Sequence, residues 1–326
     1  MTSSVLVVGG AGYVGSHTCK ALDRAGFRPV VYDDLSTGYA EAVRWGPLVE
    51  GRMSDRASLR AAIAEHKPVA AMLFAGFIAV GESVNDPAKY YRNNVGEVIS
   101  LLDTLRDSGL HRLVFSSTAA VYGDPQFLPI HEDHPLQPTN PYGWTKLMVE
   151  RILKDYSVAY GLQSVSLRYF NAAGGDPDAV IGECHEPETH LIPLVLDTAL
   201  QRRACIDIFG DDYDTPDGTC VRDYVHVDDL ASAHVQALRR LLGSDGGRAE
   251  AYNLGNGNGF SVREVIDAAR AVTGKGIPTR IAPRRPGDPP VLVSAADRAR
   301  EILEWKPQRA ALKTQIADAW KWRQGH

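Results

Sequence analysis

Short apolar segments alternate with amphipathic ones along the first half of the chain. The apolar runs cover residues 5–8, 29–32, 69–74, 113–115 and 165–167. Between them, residues 16–25 and 94–106 place apolar side chains three and four positions apart, which is the spacing of one helical face. Short continuous apolar runs are typical of strands buried on both faces, and helices between them indicate βαβ units. The pattern therefore predicts a parallel sheet.

The second half of the chain is less regular. Residues 172–188 and 210–219 are rich in Gly, Pro and Asp and are interpreted as loops, whereas residues 228–240 have the pattern of a helix. We expect an α/β fold with two parts. The first is a doubly wound parallel sheet over residues 1–168, with a returning segment at about 220–240. The second is a smaller mixed α/β lobe formed by residues 169–219 and 241–326.

Composition and charge narrow the class of protein. The 326 residues include 35 Lys and Arg against 40 Asp and Glu, so the net charge is −5, which disfavours a nucleic-acid partner. There is no apolar stretch of about 18 residues and no signal-peptide pattern, so no membrane partner is expected. The four cysteines lie far apart, which favours a reducing compartment and neither a disulfide framework nor a metal site. We therefore expect a soluble cytoplasmic protein.

A glycine-rich segment, VVGGAGYVGSH, follows the first apolar run. Gly9, Gly12 and Gly15 permit a tight turn and let backbone N–H groups approach a pyrophosphate at a helix N-terminus. Asp33 ends the second apolar run. A carboxylate there accepts hydrogen bonds from a ribose 2′-hydroxyl and repels a 2′-phosphate. Together these features predict a site for NAD.

A hydroxyl, a phenol and an amine are candidates for catalysis. Tyr142 and Lys146 are four residues apart in NPYGWTK, so they share one face of a helix, and Thr118 lies in the earlier segment SSTAAVYG. A free phenol has a pKa near 10, too high for a base at neutral pH. A cation about 5 Å away, at an effective dielectric near 20, favours the phenolate by roughly 3 kcal/mol. We therefore predict that Tyr142 exchanges a proton and that Lys146, together with a positively charged nicotinamide ring, lowers its pKa. Thr118 or a neighbouring serine is predicted to bind the substrate oxygen.

These motifs resemble the extended short-chain dehydrogenase/reductase family, and within it the enzymes of nucleotide sugars. The resemblance continues in order through FAGFIAVGESV, YYRNNV, SLRYFNAAG, ETHLIP, VRDYVHVDDL and RRPGD. It implies an NAD-dependent enzyme that inverts C4 of UDP-hexoses and so interconverts UDP-glucose and UDP-galactose. The reaction would pass through a 4-keto intermediate with Tyr142 as acid and base. A homodimer joined through helices at about 94–106 and 142–159 is also implied.

The same resemblance assigns binding roles. Cofactor contacts would come from Gly9, Gly12, Tyr13, Val14, Gly15, Asp33, Phe74, Ala75, Gly76, Asn94, Tyr142, Lys146 and Tyr169. Substrate contacts would come from Thr118, Tyr142, Asn171, His190, Leu191, Phe209, Arg222, Arg285 and Asp288. Arginine matches phosphate oxygens and a carboxylate matches vicinal hydroxyls, so the two arginines are expected on the diphosphate and Asp288 on the nucleoside ribose.

Some of these residues have a structural alternative. Asn171 could instead serve in a turn, Arg222 in an ion pair with Asp223 or Asp228, and Arg285 as a solvated loop cation. The chain also departs from the family pattern at several positions. Ile78 stands where a lysine is common, Arg52 where an acid reaches adenine, Trp144 where a lysine is usual, and His190 where asparagine is also found.

Other substrates and classes remain open. Leu292 falls where the family gates the size of the sugar's C2 substituent, and leucine leaves UDP-N-acetylhexosamine, UDP-pentose and UDP-glucuronate as alternatives. Ala119 and Ala120 stand where 4,6-dehydratases carry an acidic pair, which argues against that reaction. A non-catalytic NAD-sensing protein is a further alternative, because the fold alone does not define activity.

Overall fold

Thirteen strands and eleven α-helices are found in the computed structural model, which describes residues 2–243, 248–285 and 287–326. The strands are β1 Ser4–Val8, β2 Arg28–Asp33, β3 Leu48–Glu50, β4 Ala70–Leu73, β5 Arg112–Thr118, β6 Gln163–Tyr169, β7 Asn171–Ala173, β8 Ile206–Phe209, β9 Val221–His226, β10 Ala249–Leu254, β11 Gly259–Ser261, β12 Thr279–Ala282 and β13 Val291–Leu292. The helices are α1 Tyr13–Arg24, α2 Arg56–His66, α3 Val80–Asn85, α4 Pro87–Tyr91, α5 Val98–Asp107, α6 Pro141–Tyr160, α7 Leu191–Ala199, α8 Val227–Leu242, α9 Val262–Thr273, α10 Asp297–Ile302 and α11 Leu312–Gly325.

The central sheet has seven parallel strands in the order β10-β6-β5-β4-β1-β2-β3. The winding direction reverses between β1 and β4. In such sheets, the loops that leave the carboxyl ends on either side of the reversal diverge and open a crevice for a ligand. The predicted doubly wound α/β fold is confirmed.

The apolar runs bury both faces of this sheet. Along β1, Val5 and Val7 face one layer, which contains α1 and α8, while Leu6 and Val8 face the other, which contains α2, α5 and α6. This alternation follows from the two-residue period of a strand. All four side chains are fully buried or nearly so. Strands that are apolar on both faces therefore need the two helical layers that the sequence predicts.

A smaller lobe covers the carboxyl end of the sheet. Its strands β11, β9 and β13 form one small sheet with β7 joined to β9, and β12 pairs with β8. Helices α7, α9 and α11 enclose its apolar core. No helix among the described residues combines the length and apolar character that a membrane crossing needs.

Two elements differ from the sequence interpretation. Strand Ala249–Leu254, which the sequence analysis placed in the second lobe, pairs with β6 and extends the central sheet. Its polar residues Glu250 and Asn253 break the apolar run that marks the other central strands. The helix expected at residues 94–106 begins as a π-helical stretch, Arg92–Glu97, and becomes α-helical only at Val98.

His234 on α8 makes the protein sensitive to acid. Its ring is fully buried 4.6 Å from that of Phe74, and Nδ1 donates to the carbonyl of Leu230 at 2.8 Å. Burial lowers the pKa of His234 from 6.5 to about 4. The unfolded chain therefore binds this proton more tightly than the folded one. The neutral, buried ring of His234 therefore contributes its full stabilisation of the folded protein above pH 6.5. This stabilisation is lost as the pH falls towards 4.

We expect His234→Gln to reduce the loss of unfolding free energy between pH 7 and 4 by up to about 3 kcal/mol, because each pKa unit corresponds to about 1.4 kcal/mol. Urea unfolding at a series of pH values measures this. The exposed His131 gives the control His131→Gln, which should keep the wild-type pH dependence. Equal pH dependence in His234→Gln and wild type would contradict the assignment.

Candidate active site

The predicted cofactor and catalytic residues meet at the carboxyl edge of the central sheet. The glycine loop follows β1, Asp33 ends β2, Phe74 follows β4, Thr118 ends β5 and Tyr169 ends β6. Because the strands are parallel, these segments come together at one edge although they lie far apart in the sequence. The expected residues thus surround the crevice at the reversal of the winding.

The glycine loop is shaped for close approach to its neighbours. Gly9 has φ +81, and a Cβ there would lie 2.3 Å from the backbone nitrogen of Ala75. A Cβ on Gly15 would lie 2.3 Å from the carbonyl oxygen of Gly9. Gly12 caps α1 with no side-chain hydrogen bond, and a Cβ there would meet only the Gly9 oxygen, at 3.5 Å. The first N–H groups of α1 therefore face an open approach suited to a phosphate.

Asp33 has the geometry expected for binding a ribose. Its Oδ2 accepts from the backbone N–H of Ala11 and its Oδ1 from that of Leu35, both at 2.9 Å. Burial raises the pKa of this carboxyl, and the two N–H donors partly offset the effect. Each oxygen keeps a lone pair for a hydroxyl. The uncapped helix and this acid together fit NAD.

Of the two departures from the family pattern at Arg52 and Ile78, Arg52 has clear partners. Arg52 Nη2 donates to Glu97 Oε1 at 2.9 Å, and its Nε lies 3.9 Å from Asp34 Oδ2. These residues border an open cavity of about 440 Å³ that Asp34, Ser36, Glu50, Gly51 and Arg52 line beside the ends of β2 and β3. Ile78 is 41% exposed.

Asn94 fixes the loop that follows β4. The buried Oδ1 accepts from the N–H of Phe77 and Nδ2 donates to its carbonyl, both at 2.9 Å. A Cβ on Gly76, where φ is +153, would lie 3.2 Å from Asn94 Oδ1. Asn94 therefore holds the backbone of the loop that contains Phe74, Ala75 and Gly76 against the crevice.

The three candidate catalytic residues come together. Lys146 Nζ donates to the carbonyl of Ser116 at 2.9 Å and lies 6.0 Å from the centre of the Tyr142 ring. The Thr118 hydroxyl lies close enough to the phenol of Tyr142 to lower the pKa of that phenol. Lys146 and Thr118 are buried, and Tyr142 is partly buried. Asn140 caps α6 by accepting from the N–H of Gly143, which sets where the helix starts.

Burial opposes charge on both members of the Tyr–Lys pair. It raises the pKa of Tyr142 above 10, and the nearby Thr118 hydroxyl offsets this only in part. It lowers the pKa of Lys146 to about 8. The predicted lowering of the Tyr142 pKa required both Lys146 and a positively charged nicotinamide ring. In the protein alone the pKa is raised because desolvation dominates.

Two other tyrosines assigned to the cofactor side have protein partners. Tyr169 shares a short hydrogen bond with Ser116, and burial raises the pKa of Tyr169. The hydroxyl of Tyr13 donates to the carbonyl of Gly174 at 2.8 Å. Tyr13 therefore links the first turn of α1 to the loop after β7, while Val14 packs against the core on the α1 face.

A buried polar network beneath the site was not foreseen from the sequence. Arg168 on β6 donates to both oxygens of Glu150 on α6, at 2.9 and 2.6 Å, and to the hydroxyl of Tyr122 at 2.9 Å. Ser117 donates to Glu150 Oε1 at 2.6 Å. The network ties α6 to β5 and β6 directly below Thr118. In the sequence, the signal for this network is the presence of polar residues in β5 and β6, two segments that are otherwise apolar.

The residues expected to bind the nucleotide form a second cluster in the small lobe. Arg222 Nη2 donates to Asp288 Oδ1 at 2.6 Å, and Arg285 Nε lies 3.4 Å from Asp288 Oδ2. The Arg285 guanidinium lies 4.7 Å from the centre of the Phe209 ring. Arg222 pairs with Asp288 and not with Asp223 or Asp228. Asn171 is exposed on β7, and its side chain lies close enough to Tyr224 to lower the pKa of that phenol, although burial raises the pKa overall.

His190 and Leu191 lie where the loop after β7 enters α7. His190 is the N-cap residue of that helix, and its Nδ1 is 2.8 Å from Glu183 Oε1. Burial disfavours the charged ring, yet the carboxylates of Glu183 and Glu188 raise the pKa of His190 to about 10. Leu191 is partly buried against the core of the small lobe.

A crevice that fits NAD and adjoins a Tyr–Lys–Thr set defines a dinucleotide-dependent enzyme. Residues 5–255 match the NAD dependent epimerase/dehydratase family, and the chain belongs to that family. The expectations of an enzyme and of NAD as its cofactor are thereby confirmed.

Individual relatives cover nearly the whole chain. It is 52% identical to the UDP-glucose 4-epimerase of Rhizobium leguminosarum bv. trifolii over 98% of this chain and 97% of that one. The crystal structure of UDP-glucose 4-epimerase from Brucella ovis in complex with NAD is similar, with TM-score 0.95, 50% identity and 98% of both chains covered. So is that of UDP-glucose-4-epimerase from Stenotrophomonas maltophila with bound NAD and formylated UDP-arabinopyranose, with TM-score 0.95, 40% identity and 99% and 98% covered.

The Arg168–Glu150 pair allows a test of the network. Arg168→Met leaves a carboxylate that is 4% exposed without its cation, so we expect the free energy of unfolding to fall by about 3–5 kcal/mol. Arg168→Met with Glu150→Met should regain much of that loss, because no buried charge remains unpaired. Urea unfolding of the four proteins in this cycle measures the coupling. Additive losses would contradict a linked network.

Proposed function

We propose that this chain interconverts UDP-glucose and UDP-galactose by inverting C4 of the sugar with NAD as cofactor. The observation that carries the proposal is the meeting of Thr118, Tyr142 and Lys146 at the sheet edge beside the glycine loop. The names of the relatives described above support the choice of substrate. The retained Tyr142 and Lys146 favour an enzyme over an NAD sensor.

The proposed chemistry divides between cofactor and protein. When bound, NAD supplies a reversible acceptor for the electrons and hydrogen of C4. Gly9, Gly12 and Gly15 would hold its pyrophosphate and Asp33 a ribose. The phenolic oxygen of Tyr142 would take the proton of the sugar's 4-hydroxyl and later return it. Thr118 would hydrogen-bond the oxygen of that 4-hydroxyl and hold it in line with the phenol.

Charge at the site governs when Tyr142 acts as a base. The surrounding protein raises the pKa of Tyr142, so positive charge must come close before the phenolate forms. Lys146, whose pKa of about 8 keeps most of its charge at neutral pH, lies 6.0 Å from the ring. In a buried site each such charge has a larger effect than in water. We propose that Lys146 and the cationic ring of NAD together lower the pKa of Tyr142 far enough for the phenolate to form at neutral pH.

Nucleotide and sugar would be held differently. Arg222 and Arg285 would clamp the diphosphate, Asp288 the nucleoside ribose, and Phe209 would lie beside this group in the small lobe. Asn171, His190 and Leu191 complete the proposed contacts. Because most of these residues lie on the nucleotide side, the 4-keto sugar would be free to turn and present its other face to the crevice.

A UDP-pentose is the second candidate substrate. The ligand named for the Stenotrophomonas structure, formylated UDP-arabinopyranose, favours it. Leu292 packs against the apolar cluster that contains Ala119, which follows Thr118 in the chain, so Leu292 would border the end of the site where the sugar would lie.

Replacing Tyr142 by phenylalanine removes only the proton-exchanging oxygen. We expect the conversion of UDP-galactose to UDP-glucose to fall at least about 100-fold, within the usual contribution of acid–base catalysis, with UDP affinity retained. Chromatography of the sugar products and calorimetry with UDP measure the two effects.

The matched control is Tyr160→Phe, at the exposed end of the same helix, which should keep wild-type activity. Wild-type turnover in Tyr142→Phe would contradict the catalytic role. Wild-type protein that carries NAD but converts none of UDP-galactose, UDP-N-acetylgalactosamine and UDP-arabinose would contradict the proposed function itself.

We also propose a division into two parts, a cytoplasmic location and a homodimer. The division into a cofactor part and a UDP-sugar lobe is supported by the separate cores of the two sheets. A cytoplasmic location is supported by the four free cysteines. A homodimer through α5 and α6 is supported by exposed Ile99 and Met148 on those helices, at 38% and 39%.

The homodimer can be tested by placing charged side chains in the proposed interface. We expect Ile99→Glu with Met148→Glu to shift wild-type dimers to monomers in sedimentation velocity, because carboxylates in an apolar contact lose hydration. Ile281→Glu, at an exposed position in the small lobe, is the control and should leave dimers intact. A monomeric wild-type protein, or a double variant that stays dimeric, would contradict the proposal.

A further inference from the structure

Four side chains converge in the loop that leads into α7. Glu183, His185, Glu188 and His190 each offer one ligand-type atom, and these atoms all lie within 4.8 Å of one another. We propose that this cluster binds one divalent metal ion of the Zn²⁺ type through two carboxylate oxygens and two imidazole nitrogens. No metal was expected from the sequence, because the four cysteines lie too far apart to form a metal site.

The separations between these atoms match those of ligands around one ion. His190 Nδ1 lies 2.8 Å from Glu183 Oε1 and 3.3 Å from Glu188 Oε1. His185 Nδ1 lies 3.4 Å from Glu183 Oε1 and 3.7 Å from Glu188 Oε2. Zinc binds nitrogen and oxygen at about 2.0–2.1 Å, so a tetrahedron puts neighbouring ligands about 3.3 Å apart. These four histidine–carboxylate distances, which involve Oε1 of Glu183 and both oxygens of Glu188, bracket that value, and small side-chain adjustments would bring one atom of each residue onto a single ion.

One buried oxygen in the cluster has no hydrogen-bond partner. Glu188 Oε1 accepts the N–H groups of Thr189 and His190, at 2.8 and 2.9 Å. Within residues 2–243, 248–285 and 287–326, Glu188 Oε2 has none, although only 6% of this side chain is exposed. His185 Nδ1, which it faces at 3.7 Å, is likewise buried and without a hydrogen bond. Such atoms are costly unless something binds them, and a metal ion between them would.

The donor set indicates the class of metal. Two carboxylates balance the charge of a divalent ion, and imidazole nitrogen favours zinc and its first-row neighbours over calcium and magnesium, which prefer oxygen alone. The ring of His185 also meets that of Tyr13 edge-on at 6.4 Å between centres, and Tyr13 donates to Gly174 in the same loop. The ion would therefore fasten this loop to the first turn of α1, in a structural role.

The test uses the full-length protein with its NAD, without an affinity tag that binds metal. After dialysis against a chelator and its removal, calorimetric titration with Zn²⁺ should show one ion bound per chain. Zn²⁺ should also raise the melting temperature, and Co²⁺ should give the intense visible absorption of a tetrahedral site. Absence of saturable binding in the wild-type protein would overturn the proposal without recourse to any variant.

Near-isosteric variants locate the site. Glu188→Gln and His185→Gln should each weaken Zn²⁺ binding by more than about 100-fold, because even residues that only support a ligand contribute 10- to 100-fold. Glu186→Gln and Cys184→Ser, in the same loop but outside the cluster, should bind as wild type does. The assignment would be overturned if Glu188→Gln and His185→Gln still bind Zn²⁺, or if Cys184→Ser loses binding. Circular dichroism should confirm that each variant is folded.

Discussion

The hydrogen bond from Lys146 Nζ to the carbonyl of Ser116 joins helix α6 to the carboxyl end of β5. Tyr142 lies one turn before Lys146 and Thr118 lies two residues after Ser116, so this single contact brings phenol and hydroxyl together. The bond also gives a partner to the ammonium group of Lys146, a residue that is 4% exposed, which would otherwise be costly to bury. Below it, Glu150 and Arg168 hold the same helix against the same edge.

This placement puts a Tyr–Lys pair in surroundings that resist charge. The pKa of the phenol rises and that of the ammonium falls to about 8, both because of burial. Low polarity hinders ionisation in the protein alone, but it also strengthens the effect of any cation that binds nearby. A base of this kind would become active mainly when its reaction partners are in place, which limits proton exchange with water.

Local patterns predicted much of the cofactor and catalytic site. The glycine loop, Asp33, and the Tyr142–Lys146 spacing each lie within a short segment whose geometry follows from one strand and one helix. Contacts between distant segments were harder to foresee. Arg222 on β9 pairs with Asp288 in the loop before β13, and the strand containing Asn253 joins the central sheet.

The cluster in the Glu183–His190 loop was also not predictable from the sequence. Its donors lie on irregular backbone with neither helical nor strand periodicity, so the sequence could not show that they converge. The upward pKa shift of Tyr142 was also beyond the sequence, because it depends on how deeply the folded chain buries the ring. Burial of a particular atom is a property of packing, and no local pattern reports it.

The central claim is that the phenol of Tyr142 becomes a base at neutral pH only when the cationic dinucleotide joins Lys146. Ultraviolet difference titration of the protein, first freed of NAD and then reloaded, tests this directly, with Tyr142→Phe identifying the signal. The account predicts a tyrosine that titrates near pH 7 in the NAD complex and above 10 without it. The same pKa for Tyr142 in both forms would contradict it.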